Sequence, residues 1–223
     1  MDNLGASLFT ENNMFISFEG GDGTGKTTQA RLLADTLESN GSSVLLVHEP
    51  GGTDLGELLR AWLKETGREI SPQAELLAFA AARTELVRNI IKPALAKGTI
   101  VVADRYCDST TAYQGYGHEL PLEVIERVNS IATQGVYPDH TFILDLEPAQ
   151  AFNRGVARDN KSNERRFEDM NESFHSRVFT GFRHVAANES SRCVIIDSSK
   201  SINFVQKEIW NYLVQVGSVR QIL

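Results

Sequence analysis

Cysteine is nearly absent from this chain. Its 223 residues include only Cys107 and Cys193, far apart and without metal-ligating neighbours, which argues against a disulfide scaffold and fits a reducing compartment. Long hydrophobic runs are missing too. The longest apolar stretch, LLAFAAA at Leu76–Ala82, is far too short to span a bilayer, so a membrane is not an expected partner. There is no basic excess: the formal net charge is −7, which leaves no broad positive face for a polynucleotide, and nucleic acid is not expected as a partner either. A local basic cluster still suffices for a small anion. The opening MDNLGASLFTENN carries Asp2 and Glu11 and has neither the basic start nor the apolar core of a signal or transit peptide. Residues 1–13 are therefore expected to form a disordered tail, and the protein to be cytoplasmic. His48, His118, His140, His175 and His184 show no metal-ligand spacing, and no internal repeat or low-complexity linker interrupts the chain.

What is present is a regular alternation of short apolar runs and helical patterns. The runs are MFISF (from Met14), SVLLVH (from Ser43), TIVVAD (Thr99–Asp104), HTFILDL (His140–Leu146) and CVIID (Cys193–Asp197). Between and after them, helices are predicted from Lys26 towards Ser39, over Leu55–Lys64, Ala74–Ala96, Leu122–Thr133, Pro148–Arg158 and Glu168–Asn188, and from Ile202. Apolar strands separated by helices predict a doubly wound α/β fold, a parallel five-stranded sheet with helices on both faces. One domain over residues 14–216 is expected, with the polar stretch ARDNKSNERRFED at Ala157–Asp169 read as a mobile loop and a short tail over 217–223. In such sheets ligands bind beyond the carboxyl ends of the strands.

The stretch FEGGDGTGKTTQ at Phe18–Gln29 packs four glycines, a lysine and three threonines behind the first strand. Gly20, Gly25, Lys26 and Thr27 fit the G-x-x-x-x-G-K-[ST] pattern, at a strand exit and a helix start as a phosphate-binding loop requires. Glycines let successive N–H groups of Gly20, Gly21, Asp22, Gly23, Thr24 and Gly25 turn on an anion, the helix start adds partial positive charge, Lys26 reaches the β/γ-phosphates, and the Thr27 hydroxyl, followed by Thr28, can ligate Mg²⁺. The expected ligand is a nucleoside triphosphate. By itself this loop leaves kinases, GTPases, ATPases and non-catalytic switches open, although no NKxD string for guanine occurs.

Three further segments narrow the choice: DRYCDSTTAYQG at Asp104–Gly115 after the third strand, EPGGT at Glu49–Thr53 after the second, and FAAAR at Phe79–Arg83 on a helix. Together with GGDGTGKTT they resemble the thymidylate kinase family, from Met14 to about Tyr212. The resemblance implies the phosphate-loop nucleoside monophosphate kinase fold, transfer of the γ-phosphoryl of ATP to dTMP, Mg²⁺ as cofactor and a homodimer packed through helices. A phosphate monoester is already largely dianionic at neutral pH, so such a reaction needs no general base. It needs two phosphates held in line with their repulsion neutralised. Arg105 is suited to fork onto the acceptor phosphate and Asp104 to hold Mg²⁺ through water, although a strand-end ion pair is the plainer reading of the two residues alone.

The resemblance assigns further residues. Gly23 stands where part of the family keeps a catalytic arginine, which moves that duty to a lid around residues 154–168, with Arg154, Arg158 and Arg166 as the matches. The residue matching Arg83 reads the base, the one matching Phe79 stacks on it, and those matching Thr110 and Gln114 address its polar edge. Tyr113 matches a tyrosine that crowds the sugar 2′ position, and Asp22, Glu49 and Arg60 match residues lining the acceptor-phosphate region. Arg83 has only donors, so it suits thymine O4 and opposes the cytosine amino group. A kinase of another monophosphate, or a deoxynucleoside kinase using Glu19 or Asp22 as base, remains an alternative on these residues. Cys107 lies inside the acceptor motif, where a thiol reagent is expected to block the site.

Overall fold

A computed structural model describes residues 13–147, 149–151, 154, 166, 167 and 169–219. Five strands, β1 (Phe15–Glu19), β2 (Val44–His48), β3 (Ile100–Asp104), β4 (His140–Asp145) and β5 (Cys193–Asp197), form one parallel sheet in the order β2-β3-β1-β4-β5. The helices are α1 (Lys26–Ser39), α2 (Asp54–Lys64), α3 (Pro72–Leu86), α4 (Lys92–Ala96), α5 (Cys107–Thr110), α6 (Leu122–Thr133), α7 (Glu172–Asn188) and α8 (Ile202–Gln215).

Alternation along the strands supplies both faces of the core. Ile16 and Phe18 of β1 join Val102, Phe142 and Leu144 beneath α1 and α8, which contribute Leu33, Leu37, Ile209 and Leu213. Phe15 faces the other way, with Val101, Ala103, Leu86 and Ile91, while Ile143 packs with Phe174, Val178 and Phe182 of α7. The central strand β1 is wholly buried and the edge strands β2 and β5 are partly exposed, so apolar runs of similar look differ in burial according to their rank in the sheet. The order places β1 between β3 and β4, and the chain leaves β1 in the crevice where the sheet order reverses.

Several expectations are refined. The predicted Ala74–Ala96 helix is α3, a π-helical turn at Val87–Ile91 and then α4; Pro93 has no N–H for the carbonyl one turn back, and the ladder widens just before it. Residues 107–117, given no helix from sequence, form α5 and a π-helical turn at Thr111–Gly117. Tertiary packing makes that turn: a β-carbon on Gly181 would approach Tyr116 to 2.9 Å, and one on Gly117 would approach Phe174 to 2.7 Å, so only glycines admit the contact with α7. The helix predicted from Glu168 begins at Glu172, where the Asn171 side chain accepts from Phe174 N–H at 2.8 Å as N-cap. At the other end Val219 is buried among α8 residues, so packing continues past residue 216. Of the predicted Pro148–Arg158 helix, Ala149–Ala151 and Arg154 are helical. The rest of it lies outside the described residues, as do Arg158, Lys161, Arg165 and residues 1–12.

Candidate active site

The loop after β1 takes a shape that side chains would block. Gly20, Gly23 and Gly25 have φ of 133°, 79° and 97°, the left-handed side that glycine tolerates. A β-carbon on Gly20 would lie 2.5 Å from Leu144 O, and one on Gly21 2.4 Å from the Phe179 ring. Gly25 opens α1, which has neither a side-chain cap nor an acidic residue in its first turn, so its first N–H groups are left for an anion. Thr24 Oγ1 and Lys26 Nζ both donate to Gly21 O, at 2.9 and 2.6 Å. Lys26 thus lies folded over the loop, and burial pulls its ammonium down to about 8.

Thr27 Oγ1 donates to Asp104 Oδ2 at 2.5 Å. These two hard oxygens at the mouth of the loop fit a small cation whose other ligands are phosphate and water. Among the described residues no cluster of three or more histidine, cysteine or acidic side chains exists to hold a metal otherwise. Thr28 is exposed and does not line the cleft.

Arg105 follows β3 at φ 74°. Its Nη1 donates to Gly20 O (3.1 Å) and Ser109 Oγ (3.0 Å), and its Nη2 to Asp22 Oδ1 and to Tyr113 OH (3.1 Å). Tyr113 OH in turn donates to Asp22 Oδ2 at 2.7 Å. Against the effect of burial, Arg105 and Lys26 hold the Asp22 carboxyl well below the usual carboxylate range. Behind them Glu19 is fully buried and accepts from Tyr106 N–H (2.7 Å) and Ser109 Oγ (2.5 Å). Burial, with Asp108 nearby, pushes its carboxyl up to about 8.

A cleft of about 730 Å³ runs from the loop to a second cluster, lined among others by Lys26, Thr27, Arg60, Arg105, Phe79 and Gln114. In that cluster Arg83 is 1% exposed. Its Nε and Nη2 grip Glu49 Oε2 at 2.8 and 2.6 Å, Nη2 also reaches Tyr106 O and Thr110 Oγ1, and Nη1 donates to Asn129 Oδ1 at 3.0 Å. That leaves one Nη1 hydrogen without a partner among the described residues. Glu49, matched to the phosphate region from sequence, has its carboxylate taken by Arg83. Arg60 Nη1 donates to Pro50 O at 3.1 Å. Phe79 stands 6.0 Å from Phe167, which meets Tyr113 edge-on at 5.8 Å, and these rings form an apolar wall.

The two described arginines of the expected lid, Arg154 and Arg166, do not behave alike. Arg154 Nη1 donates to Ser198 O at 2.9 Å, just past β5. Arg166 is drawn away from the loop: its Nη2 pairs with Glu75 Oε2 at 2.6 Å, and its Nε and Nη1 donate to Arg68 O and Leu63 O at the end of α2. Neither lines the cleft. Glu75, Ser109, Asn129 and Phe167 were missed by sequence reading. A lone aromatic in the charged run ERRFED was the signal available for Phe167; the other three look like ordinary helix residues until their partners are known.

The thymidylate kinase family model matches residues 18–209. The chain belongs to the thymidylate kinase family. It is 47% identical over 198 residues to a thymidylate kinase of Synechococcus sp., covering 89% of this chain and 93% of that one. It is 45% identical to one of Gloeobacter violaceus, covering 88% and 92%. The crystal structure of thymidylate kinase from Ehrlichia chaffeensis superposes with a TM-score of 0.73 at 39% identity, covering 90% of this chain and 97% of that one. Fold and family thus agree with the sequence reading, and the enzyme is a kinase of this family.

Proposed function

We propose that the cleft binds ATP at the glycine loop and dTMP between Arg105 and Arg83, and transfers the γ-phosphoryl in line to give dTDP and ADP. The observation that carries this reading is that one cleft joins an anion-binding helix start to a buried donor set beside an aromatic wall. Lys26 leaves the Gly21 carbonyl for the β/γ-phosphates, and the loop N–H groups hold them. With its Nη hydrogens already engaged, Arg105 forks onto the dTMP phosphate by exchanging Asp22 for phosphate oxygens. Phe79 and Phe167 sandwich the base region, the free Nη1 hydrogen of Arg83 reaches O4, and Tyr113 closes the sugar's 2′ side. Thr27 and Asp104 would hold Mg²⁺, which supplies charge neutralisation between the phosphates when bound. Arg158 is assigned to the transferring phosphoryl, and so is Arg154 on leaving Ser198 O; Arg166, paired with Glu75, is assigned to holding the lid's end.

The enzyme is further proposed to act in the cytoplasm as a homodimer. No helix among the described residues is long and apolar enough to cross a membrane. Leu58 of α2, Leu77 of α3 and Ile131 of α6 are 70%, 60% and 74% exposed on three helices that pack side by side. Light scattering is expected to give twice the 24.7 kDa chain mass; a monomer at assay concentrations refutes the assembly. For the chemistry, a coupled assay of ATP with each monophosphate and deoxynucleoside is expected to rank dTMP first and dUMP second, with dCMP and purine monophosphates near background. Equal rates with dCMP and dTMP refute the reading of Arg83.

A further inference from the structure

Glu75 belongs to no motif, yet it is completely buried at the base end of the cleft. It sits in the first turn of α3, and three side chains converge on it. Gln114 Nε2 donates to Glu75 Oε1 at 2.7 Å, His118 Nε2 lies 3.1 Å from the same oxygen, and Arg166 Nη2 lies 2.6 Å from Oε2. Although burial opposes it, His118 and Arg166 hold the Glu75 carboxyl below its ordinary value, so it is an anion.

An ionised carboxylate only accepts hydrogen bonds. Gln114, 1% exposed and lining the cleft, therefore cannot turn its amide over without setting its own oxygen against Glu75. One Nε2 hydrogen is thereby committed, and the carbonyl Oε1, with no partner among the described residues, is the acceptor that the amide leaves for the cleft. A carbonyl there accepts from a pyrimidine whose N3 carries hydrogen, as in thymine and uracil, and repels cytosine, whose N3 is itself an acceptor.

We propose that Glu75 is a positioning residue that sets substrate specificity by fixing the orientation of the Gln114 amide. Arg166, whose guanidinium lies over the ring of the wall residue Phe167, holds the other oxygen of the same carboxylate. The aromatic wall and the base-reading amide thereby share one anchor. This inference rests on the proposed dTMP site.

Glu75→Gln tests it, because a glutamine of the same shape both donates and accepts and lets Gln114 take either orientation. The quantities to measure are kcat/KM for dTMP, dUMP and dCMP in the intact enzyme. The dTMP:dCMP ratio should fall by about tenfold or more, the scale of one mispaired buried polar group. The dTMP:dUMP ratio should hold within about twofold, since both bases present the same edge to Gln114. A merely structural Glu75 would lower all three rates together and leave both ratios intact, and that result overturns the proposal. If the unaltered enzyme itself fails to discriminate against dCMP, the proposed base site is wrong, and the two failures are told apart. A folding defect in Glu75→Gln is bypassed on the unaltered enzyme by NMR of the Gln114 side-chain amide, assigned by its loss in Gln114→Met. One hydrogen shifted downfield from its twin and slow to exchange supports the anchor; a pair at ordinary amide positions overturns it.

Discussion

Replacing Glu49 by glutamine takes one charge out of a pair that is almost wholly dry, with side-chain exposures of 1% for Arg83 and 4% for Glu49. Arg83 holds that carboxylate through Nε at 2.8 Å and Nη2 at 2.6 Å. Breaking a buried pair by removing one partner costs about 3–5 kcal/mol, because the surviving charge stays desolvated. The glutamine keeps one acceptor oxygen and the cleft gives water some access, so the lower end, about 3 kcal/mol, applies. In a chain of this size each kcal/mol lowers Tm by about 2–4 °C, which gives a fall of about 6–12 °C. Urea unfolding and calorimetry at one fixed protein concentration measure it, and concentration must be held because assembly contributes to stability. The same variant should raise KM for dTMP and spare KM for ATP, since Arg83 is proposed to read the base. Adding Arg83→Met should cost little more stability, as the stranded charge leaves with it. A loss under about 1 kcal/mol, with dTMP kinetics unchanged, would refute the view that Glu49 is what holds Arg83 in place.

Lys26→Met should keep the fold and lose nearly all turnover, because the charge proposed to meet the β/γ-phosphates goes while the apolar core is untouched; near-normal kcat removes Lys26 from the chemistry. Glu19, raised from 4.5 to about 8, stays protonated in the folded protein where the unfolded chain has lost its proton. The folded state binds more protons in that window, so stability should decline as pH climbs from about 4.5 to about 8. Denaturation across pH should show Glu19→Gln without that decline, and parallel curves for the two proteins count against it. Cys107 is 3% exposed and burial pushes its thiol well up, so it should resist iodoacetamide in the folded enzyme and react in urea. This corrects the expectation that a thiol reagent blocks the site; rapid inactivation traced to Cys107 would restore it.

The parts of this site legible in the sequence are those that depend on neighbours along the chain. Gly20 to Thr27 declare themselves because loop, lysine and hydroxyl fall within one turn of backbone, and β1 and α1 follow from apolar runs on either side. Asp104 and Arg105 are visible as the end of an apolar strand. What is hidden depends on distant partners: Glu75 is one more acidic residue near a helix start until Gln114, His118 and Arg166 close around it. Asn129 is one polar residue on α6 until Arg83 reaches it. The wide turn at Thr111–Gly117 has no signature of its own, since glycine contacts with α7 impose it. Arg166 shows the converse, a residue whose motif position suggested phosphate contact and whose guanidinium is engaged by Glu75 and the end of α2.

Arg105 occupies a left-handed backbone position at φ 74°, where any β-carbon is crowded by about 1–2 kcal/mol and glycine is not. Arginine nevertheless recovers more than that, because its guanidinium closes on Gly20 O, Ser109 Oγ, Asp22 and Tyr113 OH, and each buried partner left unpaired costs about 1–3 kcal/mol. Thermal screening of this enzyme is therefore expected to keep arginine at 105 on stability grounds alone, so that selection for heat tolerance does not by itself erase the residue.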